Sequence, residues 1–255
     1  LITPVPLKAM GRFRHEAIAV ASRTGIIYQT EDRHDGLIYR FIPKAKNNPA
    51  AGGKLQALRI RQRRSMDTRN WMNSLPPRMP VAKWVQTKWV DIDNVESPDD
   101  SLRQQGHAKG AALFARGEGM WYGNNSIYWA CTNGGPFMRG QIFRYTPSPF
   151  EGTPKELVRP GRLQLYIESH ASSLIENCDN LTVAPWGDLF ICEDNSGSCA
   201  MLRVTPKGEI SRFAINTYSS SELAGACFSP SGKTLFVNIQ KNGQTLAITG
   251  PWQGN

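Results

Sequence analysis

One phrase recurs four times along this 255-residue chain, and it restricts the folds open to it. The phrase is a Gly- or Asn-bearing turn, a short β-rich run, a polar cluster, a second short run, and often a closing Pro. The copies are TGIIYQTEDR with GLIYRFIP (24–43), GNNSIYWACTNGG with GQIFRYTP (123–147), PWGDLFICEDNSG with AMLRVTPKGEI (185–210), and PSGKTLFVNIQKNG with QTLAITGP (230–251). An apolar run precedes each turn: AIAVA, GMWY, LTVAP and GACFSP. Ile, Val, Tyr, Phe and Thr fill runs of strand length, so each unit holds at least three strands in a meander. The third and fourth turns, Gly187 and Gly232, lie 45 residues apart, the interval of a propeller blade. A β-sandwich has short strands too, but not one phrase in one order. The chain therefore reads as an all-β protein, a single β-propeller domain over 1–255 with about four blades represented.

Residues 44–115 break the rhythm with AKNNPAAGG, the basic stretch LQALRIRQRR, PPRMP and VESPDDSLRQQG. They read as an insertion, partly packed through Trp71, Trp84 and Trp89, with strand character in KWVQTKWVDI. The net charge of +9 leaves an anionic partner open. The basic stretch lacks interleaved aromatics, which argues for a solvated loop and against nucleic acid. Five cysteines without a CxxC pair indicate neither a zinc site nor a disulfide framework. No apolar run is long enough to cross a bilayer, and no stretch reads as a signal peptide.

Acids fall at matched places in the repeat. Glu16, Glu118, Asp179 with Asn180, and Glu222 stand just before the first strand of each copy. A second set follows the next strand: Glu31 and Asp32, then Glu193 and Asp194, with Asn133 and Asn238 as the expected counterparts elsewhere and Gln240 nearby. The first strand of a propeller blade lines the central channel, so both sets should meet at one mouth. Carboxylates crowded there repel unless cations neutralise them, and oxygen-only donors suit hard ions. The competing reading is that these acids cap turns in solvent. Arg116 lies two residues from Glu118 on the same face of an extended backbone, placed to grip phosphate beside the metals. His15 should pack, TNGG at 132–135 should make a turn, and Cys192 should face the blade interior.

These segments, PLKAMGRFRHEAIAV, TGIIYQTEDR, FARGEGMWY, DNLTVAPWGDLFICED, ELAGACFSPSGKTLFVNIQ and AITGPW, closely resemble the PhoX family of alkaline phosphatases. The resemblance implies a six-bladed propeller, a cluster of Ca2+ and Fe3+, hydrolysis of phosphate monoesters, and export to the periplasm or beyond. It implies Glu16 and Glu118 as metal ligands and Arg116 as the phosphate-binding, catalytic arginine. It adds Asp179, Asn180, Glu193, Asp194 and Glu222 as further metal candidates; the second acidic set of the repeat adds Glu31 and Asp32, and Asn133 as a substrate contact. The family's upstream Asn-Cys motif and Cys-Glu-Glu segment have no counterpart here. Four repeats against six imply an arc without the N-terminal blades. The expected partner is a small phosphate ester bound by a monomer. Two other chemistries suit an acidic propeller channel: a calcium-dependent lactonase or esterase, and a non-catalytic metal-binding propeller.

Overall fold

The computed structural model describes residues 3–252 except Pro77 and Ser173. The first unit of the repeat folds as β1 (His15–Val20), β2 (Ile27–Glu31), β3 (Ile38–Ala45) and β4 (Asn48–Ile60). After β5 (Trp84–Asp91) and a short helix α1 (Leu102–Ala108) comes the second unit: β6 (Gly117–Gly123), β7 (Ser126–Cys131), β8 (Gln141–Thr146) and β9 (Arg162–Glu168). The third is β10 (Cys178–Val183), β11 (Leu189–Glu193), β12 (Ala200–Val204) and β13 (Ile210–Ile215). The fourth is β14 (Leu223–Phe228), β15 (Thr234–Ile239) and β16 (Gln244–Thr249). Each unit is an antiparallel meander, and the inner strands β1, β6, β10 and β14 stand side by side in that order. This is the propeller architecture, with four blades in an arc.

The turn residues explain the tight inner hairpins. Asn124 and Asn125 join β6 to β7 with φ of 50° and 54°, the left-handed pair that a two-residue hairpin demands and that Asn tolerates. Between blades, apolar side chains interlock. Trp129 is 1% exposed, stacked on Phe143 at 5.5 Å and edge-on to Phe114 at 5.7 Å. Phe190 fills the same role between the third and fourth blades, among Phe213, Phe228 and Trp252. Burying one such ring contributes about 1.5–3 kcal/mol. Gly119 permits the closest approach: a Cβ there would lie 2.7 Å from the Asp179 carbonyl oxygen and 2.8 Å from Asn180 Cα, so β6 and β10 could not stand this near with any side chain.

The stretch 44–115 is more integral than an insertion. Its first part is β4, the outer strand of the first blade, so LQALRI of the basic stretch is sheet and only the arginines after Ile60 lie in a turn. Its strand-like segment is β5, which pairs with β4 along Gln56–Ile60 and with β9 along Arg162–Gln164. It thereby ties the outer edges of two blades into one nine-stranded sheet. From β5 the Trp89 indole donates to the Tyr145 hydroxyl at 3.1 Å and lies under the Arg40 guanidinium.

Candidate metal and phosphate site

The register of the inner hairpins decides which acids meet. Equivalent rungs are His15 with Glu31, Gly117 with Cys131, Cys178 with Glu193 and Leu223 with Ile239. One rung earlier, the carbonyls of Arg14, Arg116, Asn177 and Glu222 accept the N–H groups of Asp32, Thr132, Asp194 and Gln240. After the shared rung every inner strand carries a β-bulge, between His15 and Ile18, Gly117 and Met120, Cys178 and Leu181, and Ala224 and Cys227. Bulges re-aim the side chains beside them. Glu16, Glu118 and Asp179 occupy that bulged position, and the fourth blade offers Ala224 there.

Glu222 therefore matches Arg116 rather than Glu118. Thr132 and Gln240, rather than Asn133 and Asn238, are the counterparts of Asp32 and Asp194. Asn238 instead donates to the Ala224 carbonyl and accepts from the Thr245 hydroxyl.

Three blade-borne carboxylates converge: Glu16, Asp32 and Glu118 bring oxygens within 4.8 Å of one another. Arg116 clamps two of them. Its Nε donates to Asp32 Oδ1 at 2.7 Å, its Nη2 to Glu118 Oε1 at 2.6 Å, and its Nη1 to Asn133 Oδ1 at 3.3 Å. Arg116 adopts φ of 52°, a left-handed conformation that costs a non-glycine residue about 1 kcal/mol or more. Its N–H donates to the Arg33 carbonyl of the first blade and its carbonyl accepts the Thr132 N–H of its own blade, and the two bonds hold it in that shape. Arg14 reaches the other oxygen of Asp32 at 3.3 Å.

The acids outnumber these cations. Burial pushes the Glu118 carboxyl well up, and the charges of Asp179 and Asp32 push it further. Burial also raises Asp179, aided by Glu222 and Asp194, and it raises Glu16, aided by Asp32. Glu222 is raised by burial and by Asp194, against the pull of Lys241. Six carboxylates thus share one neighbourhood with Arg14, Arg116 and Lys241. The donor set is carboxylate oxygen, the chemistry of a hard cation. The thiols of Cys131, Cys178 and Cys192 are buried in the strands, where desolvation raises them, so they stay protonated.

Other expected site residues turn elsewhere. Glu31 is fully buried; its Oε2 accepts the Leu37 N–H at 3.1 Å and the Tyr39 hydroxyl at 3.0 Å, anchoring the loop into β3. Glu193, its counterpart, accepts the N–H groups of Glu176 at 2.9 Å and Ala200 at 3.2 Å in the same manner. Asn180 accepts the Ala226 N–H at 2.9 Å and stitches the third blade to the fourth. His15 stacks on Phe13 at 3.7 Å, and the turn at 132–135 closes through Gly134 N–H to Cys131. Sequence reasoning passed over Arg14, which shares the Arg116 rung and precedes Glu16 by the same two residues.

The family model for alkaline phosphatase PhoX matches residues 1–243. Among solved structures, Pseudomonas fluorescens PhoX in complex with vanadate, a transition state analogue, aligns with a TM-score of 0.70 at 23% identity, over 95% of this chain and 52% of that one. The chain thus spans about half the length of that structure, and the likeness establishes the propeller fold. Virginiamycin B lyase from Staphylococcus aureus aligns at a TM-score of 0.38 and 14% identity, over 95% of this chain and 71% of that one, too distant to bear on function. No curated protein matches the sequence.

Proposed function

Because the chain belongs to the PhoX family of alkaline phosphatases, we propose that its acidic channel mouth holds metal ions and that the protein hydrolyses phosphate monoesters there. The observation that carries this reading is the meeting of Glu16, Asp32 and Glu118, from two blades, beside Arg116, which clamps two of them. We assign Ca2+ and Fe3+ as the metals, with Glu16, Asp32, Glu118 and Asp179 as first candidates to hold them, and Asp194 and Glu222 as charge at the rim. Glu31, Glu193 and Asn180 serve as loop and blade anchors in this reading. A cation held there supplies Lewis-acid charge and lowers the pKa of water, so no side-chain base is needed.

The chain's own residues then do three things. Arg116, with 31% of its side chain exposed, keeps one further N–H on each of Nη1 and Nη2 beyond its three bonds, and these can take two phosphoryl oxygens. Asp32 and Glu118 hold that fork from behind, so its orientation is set before the ester arrives, which is what transition-state stabilisation requires. Asn133 limits its third direction and can turn its amide to the ester. We take the substrate to be a small ester, the protein to act as a monomer, and the location to be periplasmic or extracellular, as family membership favours. Among the described residues no helix is long and apolar enough to cross a membrane.

The test is hydrolysis of p-nitrophenyl phosphate against a lactone, with calcium and ferric iron supplied. The reading predicts phosphatase turnover that Glu118→Gln abolishes. Lactone hydrolysis without phosphatase activity would replace it with the calcium-dependent lactonase reading.

A further inference from the structure

Beyond Ile60, where β4 ends, the chain turns through a run of arginines. Arg63 and Arg64 line a groove of about 590 Å³ with Ser65, Asp67, Arg69, Trp71 and Asn73 among its walls. Asp67 and Arg69 cancel one another, with Nε and Nη2 both donating to the carboxylate at 2.8 Å, and the Arg69 guanidinium lies 4.1 Å over the Trp71 ring. Arg63 and Arg64 have no carboxylate within 4.0 Å among the described residues; Arg64 donates only to the Ala108 carbonyl, at 3.2 Å. Arg59, near the end of β4, has a buried Nε without a hydrogen-bond partner among the described residues. Burial and the positive charge of Arg64 lower Arg59 from its ordinary value, so cations here repel cations. Arg63 and Arg64 thus stand as uncompensated positive charge in a concave site whose wall carboxylate, Asp67, is already taken by Arg69.

The groove is also fastened to the candidate centre. Its wall residue Trp71 donates from Nε1 to the Asn133 carbonyl at 2.6 Å, and the Asn133 side chain accepts from Arg116. The Arg69 carbonyl accepts the Gly135 N–H at 2.8 Å, and Arg69 Nη1 donates to the His34 carbonyl at 3.1 Å. The loops that frame Arg116 therefore also frame the groove.

We infer that Arg63 and Arg64 form a second anion site, which receives a further phosphate group on the same ester, so that doubly phosphorylated small molecules are preferred substrates. The identity of the ligand as a substrate rests on the phosphatase reading above; the affinity of the groove for a bis-anion does not. Two guanidinium groups offer the paired N–H donors that phosphate oxygens accept, and Asn73 adds a neutral donor.

The test is calorimetric titration of methylenediphosphonate, whose P–C–P bridge resists hydrolysis, into the protein in chelator, where the acidic cluster holds no cation. The parent should bind, and R63Q/R64Q should bind about tenfold more weakly or worse. The double variant K207Q/K233Q, which removes equal charge elsewhere, should bind like the parent. The single variants R63Q and R64Q give the same reading if the double does not fold. Absence of binding by the parent, equal binding by the arginine variants, or an equal loss in the lysine control would overturn the inference. Because chelator is present, none of these outcomes depends on whether the acidic cluster binds metal.

Discussion

Replacing Glu31 by glutamine should stabilise the metal-free protein at pH 8. The Glu31 carboxyl is pushed up to about 7 from 4.5, chiefly by burial, against the pull of the Leu37 N–H, the Tyr39 hydroxyl and Arg103 at 3.8 Å. Its folded value lies above its unfolded value, so the fold holds the proton more tightly. Stability is then greatest below about pH 4.5 and falls as pH rises through 7. At pH 8 the ionised carboxylate costs the fold about 3 kcal/mol, from 1.36 kcal/mol per pKa unit. A glutamine amide in its place would keep an oxygen acceptor for Leu37 and Tyr39. Its NH2 group would take the place of Oε1, which has no hydrogen-bond partner among the described residues and faces Arg103, and a buried donor left unmet there costs about 1 kcal/mol. The net gain is about 2 kcal/mol, which for a chain of this length raises Tm by about 4–8 °C. Thermal melts by circular dichroism in chelator at pH 5 and pH 8 read this directly. The gain should be present at pH 8 and mostly absent at pH 5. A Glu31→Gln protein less stable than the parent at pH 8 would refute the anchoring role and return Glu31 to the metal candidates.

Three further outcomes follow from the same geometry. Without metal, the protein should melt lower at pH 8 than at pH 5, because Glu118, Asp179, Glu16 and Glu222 are all raised; calcium should reverse the loss at pH 8. Arg116→Ala should raise KM for p-nitrophenyl phosphate about tenfold or more, through loss of a charge-assisted phosphate contact, while Arg116→Lys restores only part of it. Trp129→Ala, which empties the space between Phe114 and Phe143, should cost about 3–5 kcal/mol in urea unfolding without changing calcium affinity once folded.

Much of the fold was legible because blades repeat their turn chemistry. Gly25, Asn124 with Asn125, Gly187 and Gly232 all take positive φ at the inner hairpin, so composition alone marked the blades. Long-range pairing was not legible: nothing local in Trp84–Asp91 says that it bridges two blades, since it pairs on one side with the preceding strand β4 and on the other with β9, far along the chain. At the site, the acid-bearing segments could be read, but not which acid of a pair faces the channel. Glu31 and Asp32 are neighbours pointing opposite ways, and only the rung to His15 and the Arg14 carbonyl separates loop anchor from channel acid. The bulge that re-aims Glu16, Glu118 and Asp179 leaves no residue signature, so spacing along the chain groups Glu222 with Glu118, although its counterpart on the rungs is Arg116. The left-handed turn at Arg116 was equally silent, because it is imposed by Arg33 and Thr132 rather than by glycine.

The proposed centre requires that oxygens from different blades share an ion. Anomalous diffraction from crystals grown with saturating calcium tests this most directly. It should show a peak bounded by the Glu16, Asp32 and Glu118 carboxylates, with calcium–oxygen distances of about 2.3–2.6 Å. Calcium bound only at scattered surface positions, with that pocket empty, would contradict it.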